Sequence, residues 1–328
     1  MVLLCAKKAH GPYAYAKRAA IMVVMVVTMW FQISTKVTIE RHRDFPVASL
    51  IDTQPPFREA NGTMACTIPP SGLVAWMDVK TGITEAEAMA NLTNVRKGGS
   101  WWPQECLAPW RVAIVVPYRD REDMLGPFLN HMHPFLQRQK LNYTIYIVEQ
   151  TAEKSFNKAM MLNIGYKHAQ AQGPWDCYVF HDIDCIPEDD RNLYYCSTQP
   201  RHLAVSPDKF YYSLLYSSCF GGACLMDERQ MERVNGWSNR FYGWGGEDDD
   251  MWERIHAEGM EVRRYPGFIA TYTMLDHKRA RLNPRRYELL AQAKSYYKED
   301  GLNTLNTLVR RPGAFSTRIL VENLNCVE

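Results

Sequence analysis

Short apolar runs separated by polar segments set the pattern of this chain. Ala113–Val116 (AIVV) is fully apolar and stops at Pro117, which predicts a buried strand ending in a turn. Tyr143–Val148 (YTIYIV) predicts a second strand and Cys177–Phe180 (CYVF) a third. Between them, Phe156–Gln170 (FNKAMMLNIGYKHAQ) has helical spacing, with Ala159, Leu162, Ile164 and Tyr166 among its apolar positions. Strands alternating with helices imply an α/β fold with a mostly parallel sheet covered by helices. Ligands bind such sheets beyond the carboxyl ends of the strands. Two of the strands end in polar clusters there, PYRDR (Pro117–Arg121) and HDID (His181–Asp184).

The N-terminus follows another pattern. Ala19–Ile33 (AAIMVVMVVTMWFQI) has no charge and one glutamine, with Lys7, Lys8, Lys17 and Arg18 before it and Lys36 after it. The run is short for a spanning helix of roughly 20 residues, but Tyr13–Ala20 and Ser34–Thr35 extend it. The positive N-terminal flank predicts a cytosolic tail and a single-pass type II anchor. A cleaved signal peptide fits less well, because no A-x-A-like site follows; a buried helix is the third reading. The expected organisation is a cytosolic tail at 1–18, a transmembrane signal-anchor at 19–35, a stem at 36–65 and a lumenal catalytic domain at 66–328. The stem carries TQPPF and NGT and has no apolar periodicity.

Composition narrows the class. The 328 residues are 46% hydrophobic and 23% charged, which suits a globular protein. A net charge of +2 supplies no field that favours nucleic acid. Sequons stand at Asn61, Asn91 and Asn142. The nine cysteines (5, 66, 106, 177, 185, 196, 219, 224 and 326) are odd in number, so at least one is unpaired within the chain, and spacing leaves their connectivity open. No CxxC pair occurs, which argues against a zinc knuckle.

Four constellations are candidates for chemistry. In HDID, an extended chain would set Asp182 and Asp184 on one side about 7 Å apart, an arrangement suited to a hard divalent cation that also binds phosphate; the plain alternative is a solvated loop. FYGWGGEDDD (Phe241–Asp250) joins glycines and aromatics, a platform for a sugar face, to four consecutive acids. One of those acids is a candidate general base; the alternative is a helix N-terminus, where acids are favourable. Met274 and His277 alone read best as a core methionine and a surface histidine. Arg119 and Arg121 suit a phosphate or nucleotide, or a solvated loop.

In order along the chain, PYRDR, FNKAMMLNIGY, FHDIDCIP, QPRHLAVSPDKF, FGG, NGWSNRFYGWGGEDDD and DGLNTL make the region Cys66–Asn325 resemble the β-1,4-galactosyltransferase family, including invertebrate β-1,4-N-acetylgalactosaminyltransferases. The resemblance implies type II Golgi membrane enzymes with a GT-A glycosyltransferase fold, a Rossmann-like sheet and a DxD metal motif. It implies Mn2+ held by Asp184, Met274 and His277. Pro117, Arg119, Arg121, Phe156, Lys158, Asp182, Lys209 and Cys219 would meet the donor, UDP-galactose or UDP-GalNAc. Trp244 would close over it, and Tyr216, Gly246, Glu247, Arg286, Tyr287 and Leu290 would hold a GlcNAc-terminated glycan. Asp248 would be the base of a single inverting displacement by the acceptor 4-hydroxyl. Disulfides Cys66–Cys106 and Cys177–Cys196 are implied as well.

Three positions depart from the family pattern. Lys158 replaces an arginine, the loop after His277 is shorter than in vertebrate members, and Cys219 stands where galactose-specific members carry an aromatic residue. A smaller residue there leaves space for a 2-acetamido group; the bland reading of Cys219 is packing. Rival readings are a catalytically silent glycan-binding protein, a metal-dependent phosphohydrolase, and a xylose-directed galactosyltransferase, which would resemble an H-x-H metal motif instead.

Overall fold

The computed structural model describes residues 21–30, 45–56, 62–152, 154–278 and 280–305, together with the backbone of 308–310 and 317–322. Its contacts divide the chain into two units, Met1–Phe45 and Pro46–Glu328. In the first, residues 21–30 are helical with exposed side chains. Among the described residues no helix is long and apolar enough to cross a membrane. The expected tail, the rest of the expected anchor, Cys5, Cys326 and the Asn61 sequon lie outside the described residues.

The second unit is built on a nine-stranded sheet. Its centre is three parallel strands, β2 (Arg111–Tyr118), β3 (Asn142–Gln150) and β4 (Cys177–His181), with β2 between the others. β1 (Ser100–Trp101) pairs antiparallel with the start of β3, and β12 (Thr317–Glu322) pairs parallel with its end. On the other side, β8 (Ala223–Met226) runs antiparallel to β4 and carries β6 (Arg201–His202), then β9 (Arg263–Arg264). The sheet is therefore mixed. The expectation of a mostly parallel sheet holds for its centre and fails at its flanks, where β8 and β11 (Leu308–Arg310) run antiparallel to their neighbours. A second sheet joins β5 (Cys185–Pro187), β10 (Thr271–Met274) and β7 (Ser206–Pro207).

The predicted strands form, and each is longer than predicted. β2 continues through Pro117 instead of ending there. Pro117 lies beyond Val115, the last residue that pairs with β4, so only β3 flanks it and a missing N–H is tolerated. Helix α1 (Glu85–Asn91) starts at a Thr84–Glu87 capping box, and α2 (Glu122–Arg138) packs against it. Helix α3 is Lys158–Gln170; Asn157 caps it, so Phe156 lies ahead of the helix. Helix α4 (Glu228–Arg233) precedes α5 (Glu247–Ala257), and α6 (Arg286–Ala291) and α7 (Ala293–Tyr296) close the fold near α5.

Disulfides Cys66–Cys106 and Cys177–Cys196 are present, while Cys185, Cys219 and Cys224 are free. The segment expected as stem also contributes contacts. Leu50 is buried, and Asp52 pairs with Arg201 at 2.7 Å and accepts from Ser197 Oγ at 2.8 Å.

Under the site, Trp237 packs between Phe180 and Phe220, with ring centroids 5.7 and 6.4 Å away. Buried polar residues fix the loop that carries it. Asn163 donates to the Trp237 carbonyl and accepts from the Trp237 N–H, at 2.7 and 2.8 Å. Asn157 donates to the Asn239 carbonyl at 2.7 Å. Arg254, fully enclosed in α5, reaches Asp250 at 2.5 Å and Asp300 at 3.2 Å. Removing one partner of a buried pair strands the other charge, so Arg254→Met should destabilise the fold by about 3–5 kcal/mol. Urea unfolding of the two proteins measures this, and a loss under 1 kcal/mol would contradict the assignment.

Candidate active site

At the carboxyl end of β4 the chain turns. Asp182 N–H donates to the Gly222 carbonyl at 2.7 Å, and Cys185 N–H returns to the Asp182 carbonyl at 3.2 Å. Asp182–Cys185 is thus a tight turn, and the extended-chain expectation for the two aspartates is corrected. The turn sends the carboxylates to different partners. Asp182 faces Lys158 at 3.4 Å, and Asp184 faces His277 Nε2 at 2.9 Å. His181 belongs to the core: its Nε2 meets Tyr194 Oη at 2.9 Å, and burial lowers its pKa to about 4, so it is neutral.

Lys158, at the start of α3, is the organising cation. Its Nζ lies 2.9 and 3.0 Å from the Asp248 oxygens, 2.9 Å from Glu247 Oε1 and 3.4 Å from Asp182 Oδ2. Burial disfavours the ammonium, but Asp182, Asp248 and Glu247 outweigh it and hold its pKa well above the ordinary lysine value. One charge cannot neutralise three carboxylates. Burial pushes Asp248 up to about 7, with Lys158 pulling it down and Glu247 and Asp182 pushing it up. Asp182 is likewise raised by burial to about 6.

Glycine geometry brings Asp248 here. Gly246 takes φ 99° as the residue ahead of α5, which favours glycine and aims the first helical turn at Lys158. Across the site, a Cβ on Gly221 would stand 2.4 Å from Asp248 Oδ2, so only glycine admits that carboxylate. The Gly221 carbonyl is fixed by His202 Nε2 at 2.9 Å. Glu247 lies alongside, and its buried Oε2 has no hydrogen-bond partner among the described residues.

Asp184 and His277 meet at 2.9 Å, and Met274, which the resemblance implied as a further ligand, ends β10 just ahead of His277. Met274 pairs with Cys185 across β5 and β10, and Leu275 N–H donates to the Asp184 carbonyl at 2.8 Å. The hydrogen bond that His277 Nε2 donates to Asp184 raises the His277 pKa. His277 Nδ1 sits 3.0 Å from the Lys278 carbonyl; with an N–H donated there, Nε2 could bind a metal only on losing the proton it shares with Asp184. A carboxylate beside an imidazole suits a first-row divalent cation that keeps open positions. Among the described residues no three His, Cys, Asp or Glu side chains form a ligand group.

The other candidates rim this centre. Arg121 Nη2 is 3.4 Å from His277 Nδ1, and Arg119 lies over the Phe156 ring at 5.0 Å. Pro117 is buried within β2, and exposed Lys209 follows Asp208, whose carboxylate accepts from Met274 N–H at 2.9 Å. Cys219 is half-buried beside Asp248, and its carbonyl accepts from Arg264 at 2.8 Å; burial raises its thiol pKa. Tyr216 donates to Asp249 at 2.9 Å. Trp244, half exposed, is held by N–H and carbonyl bonds to Arg281 and Asn283. Arg286 covers Tyr287 at 4.3 Å on α6, Leu290 lies a turn further, and the aliphatic stem of Arg286 packs on Gly245. Sequence reasoning missed Asn157, Asn163, Asn239, His202 and Arg264, which hold the site without facing it. The resembling motifs contained most of them, but nothing in their pattern marked them as clasps.

The mixed sheet with its acidic turn is a GT-A-like glycosyltransferase fold. The catalytic domain of Drosophila β-1,4-galactosyltransferase 7 in complex with xylobiose superposes with a TM-score of 0.57 at 27% identity, over 66% of this chain and 95% of that one. A mutant of that enzyme with manganese, UDP-Gal and xylobiose gives 0.55 at 26% identity, over the same shares of the two chains. Two family profiles match in succession, the N-terminal region of glycosyl transferase group 7 over 66–197 and the N-terminal domain of galactosyltransferase over 201–278. β-1,4-Galactosyltransferase 6 of Rattus norvegicus is 41% identical over 71% of this chain and 59% of its own length. β-1,4-Galactosyltransferase 4 of Cricetulus griseus is 46% identical over 63% and 61%. The chain belongs to the β-1,4-galactosyltransferase family, and it spans about three-fifths of the length of these relatives.

Removing Lys158 leaves three acids without their cation. Carboxylates raised by burial bind more protons folded than unfolded between pH ~4 and ~7, so their contribution to stability falls as pH rises through that window. Lys158→Met should push their pKa values higher and carry the loss into alkaline solution. Melting temperatures of the two proteins should therefore diverge from pH 5 to pH 8; a constant gap would contradict the cluster.

Proposed function

We propose that this protein is an inverting glycosyltransferase that moves galactose or N-acetylgalactosamine from a UDP-sugar to the 4-hydroxyl of a terminal β-GlcNAc. The observation that carries the reading is Asp248, raised to about 7 by burial and set beside Glu247 with its unpartnered Oε2. A base poised near neutrality accepts a proton readily, and an unpartnered buried acceptor atom suits a sugar hydroxyl. Support also comes from the relative that binds manganese and UDP-Gal.

Glu247, Arg286 and Tyr287 hold the acceptor, and Asp248 takes the proton from its 4-hydroxyl. That oxygen forms a bond to the donor C1 as the C1–O bond to the diphosphate breaks, inverting the anomeric centre. Arg119 and Arg121 face the departing diphosphate, and Trp244 shields the reaction from water. Mn2+, when bound by Asp184, Met274 and His277, supplies positive charge to that leaving group. Asp248→Asn should lower kcat about 10^2–10^4-fold with folding intact; initial rates with UDP-galactose check this, and a change under threefold would overturn the assignment of the base.

The donor reading is that Cys219 admits UDP-GalNAc. Its position near Gly221 and Asp248 supports this, since a bulky ring there would narrow the space beside the sugar. Cys219→Tyr should shift the rate ratio toward UDP-galactose, and an unchanged ratio would sink the idea. A xylose-directed role has the xylobiose-bound relative in its favour and the Met274–His277 pattern against it. Rates on xyloside and GlcNAc acceptors separate the two. A silent lectin would bind GlcNAc without turnover, and a phosphohydrolase would release sugar without an acceptor. The type II anchor and the lumenal Golgi placement of the catalytic unit belong to the same proposal, and protease protection of the catalytic unit in intact microsomes tests them.

A further inference from the structure

A cavity of about 400 Å3 opens far from the catalytic cluster. Asn142 begins β3, and Trp175 precedes β4, so the cavity lies at the amino ends of the parallel strands. The catalytic residues lie at the carboxyl ends, about 25 Å away along β3. Three lining residues come from one face of β3, because Asn142, Thr144 and Tyr146 alternate along it. Lys97, Gly98, Ser100, Trp102, Gln172 and Trp175 complete the lining.

The walls are rigid and mixed in character. Trp175 donates its indole N–H to the Ala169 carbonyl at 2.9 Å, and its ring stands edge-on to Tyr146 with centroids 6.1 Å apart. Trp102 is held by the Arg96 guanidinium 3.5 Å from its ring centroid. Tyr146 Oη donates to Gln172 at 3.4 Å, and Ser100 and Thr144 hydroxyls share a 2.8 Å bond. Aromatic faces with amide, hydroxyl and ammonium groups between them are the chemistry that binds a sugar ring. The volume lies within the range of small-ligand pockets, about 300–1,000 Å3.

Asn142-Tyr143-Thr144 is itself an N-glycosylation sequon, and its asparagine and threonine both open into this cavity. We infer that Asn142 carries an N-linked glycan whose first sugars seat in the cavity against Trp102, Trp175 and Tyr146. The linkage forms before folding, on the extended chain. The Asn142 Nδ2 bonds to C1 of a lipid-diphosphate-activated oligosaccharide; Nδ2 loses a proton and the lipid diphosphate departs with the C1–O bond electrons. The glycan then covers the open end of the sheet, where β1 supplies only two residues.

This inference rests on the lumenal reading, and a second sequon separates the two. Asn91, the last residue of α1, is exposed, and so is Thr93 beyond the helix, so this sequon reports lumenal exposure independently of the cavity. The test is glycopeptide mapping of the full chain produced in eukaryotic secretory cells, followed by native digestion with peptide-N-glycosidase. We expect both sites occupied, with the Asn142 glycan released about tenfold more slowly than the Asn91 glycan because its seated sugars shield the linkage. Trp102→Ala should bring the Asn142 release rate up toward that of Asn91. Occupancy at Asn91 with bare Asn142 would overturn the inference alone. Equal release rates, or rates unmoved by Trp102→Ala, would overturn the seating. Two bare sites would overturn the lumenal reading along with it.

Discussion

One ammonium among three carboxylates is the constraint on which the site depends. Lys158 comes from the first turn of α3, Asp182 from the end of β4, and Glu247 and Asp248 from the first turn of α5. Each element is driven to this point by its own packing, and the lysine makes their convergence tolerable. Its charge is insufficient for all three acids, and that shortfall keeps Asp248 within reach of a proton at neutral pH. The cluster also joins two poles. Asp182 stands on the side of Asp184 and His277, whereas Glu247 and Asp248 stand on the side of α6.

Such a cluster needs stiff walls, and the fold supplies them with buried polar clasps. Asn157 and Asn163 on and beside α3 grip the loop Asn235–Asn239, and Arg254 ties α5 to Asp300. Gly221 permits the close approach of Asp248, and its neighbour Gly222 offers its carbonyl to the Asp182 turn. A shift of any clasp would move a carboxylate relative to the lysine, so positioning and electrostatics are one problem here.

Much of this was legible in the sequence where local pattern decides the outcome. The apolar runs at Ala113–Val116 and Cys177–Phe180 became central strands, and the polar clusters after them became the rim of the site. Pattern failed where tertiary pairing decides. Nothing local told that β8 would return antiparallel to β4, or that Pro117 would stay inside β2. The HDID aspartates looked like extended alternation, yet the bond from Cys185 N–H to the Asp182 carbonyl closes them into a turn. Met274 and His277 alone looked like core and surface residues; only resemblance to a family pointed to them, because their partner Asp184 is 93 residues away from His277. Lys158 read as a nucleotide contact, and its three acidic neighbours come from segments no spacing rule connects.

The most direct test of the account is the titration of the aspartate side-chain carboxyls, followed by NMR of the protein labelled with 13C at aspartate Cγ. The account predicts a carboxyl titrating near pH 7 that disappears in Asp248→Asn. If every aspartate titrates below about pH 5, within the ordinary carboxylate range, the Lys158 cluster does not hold a base in readiness and the central claim is wrong.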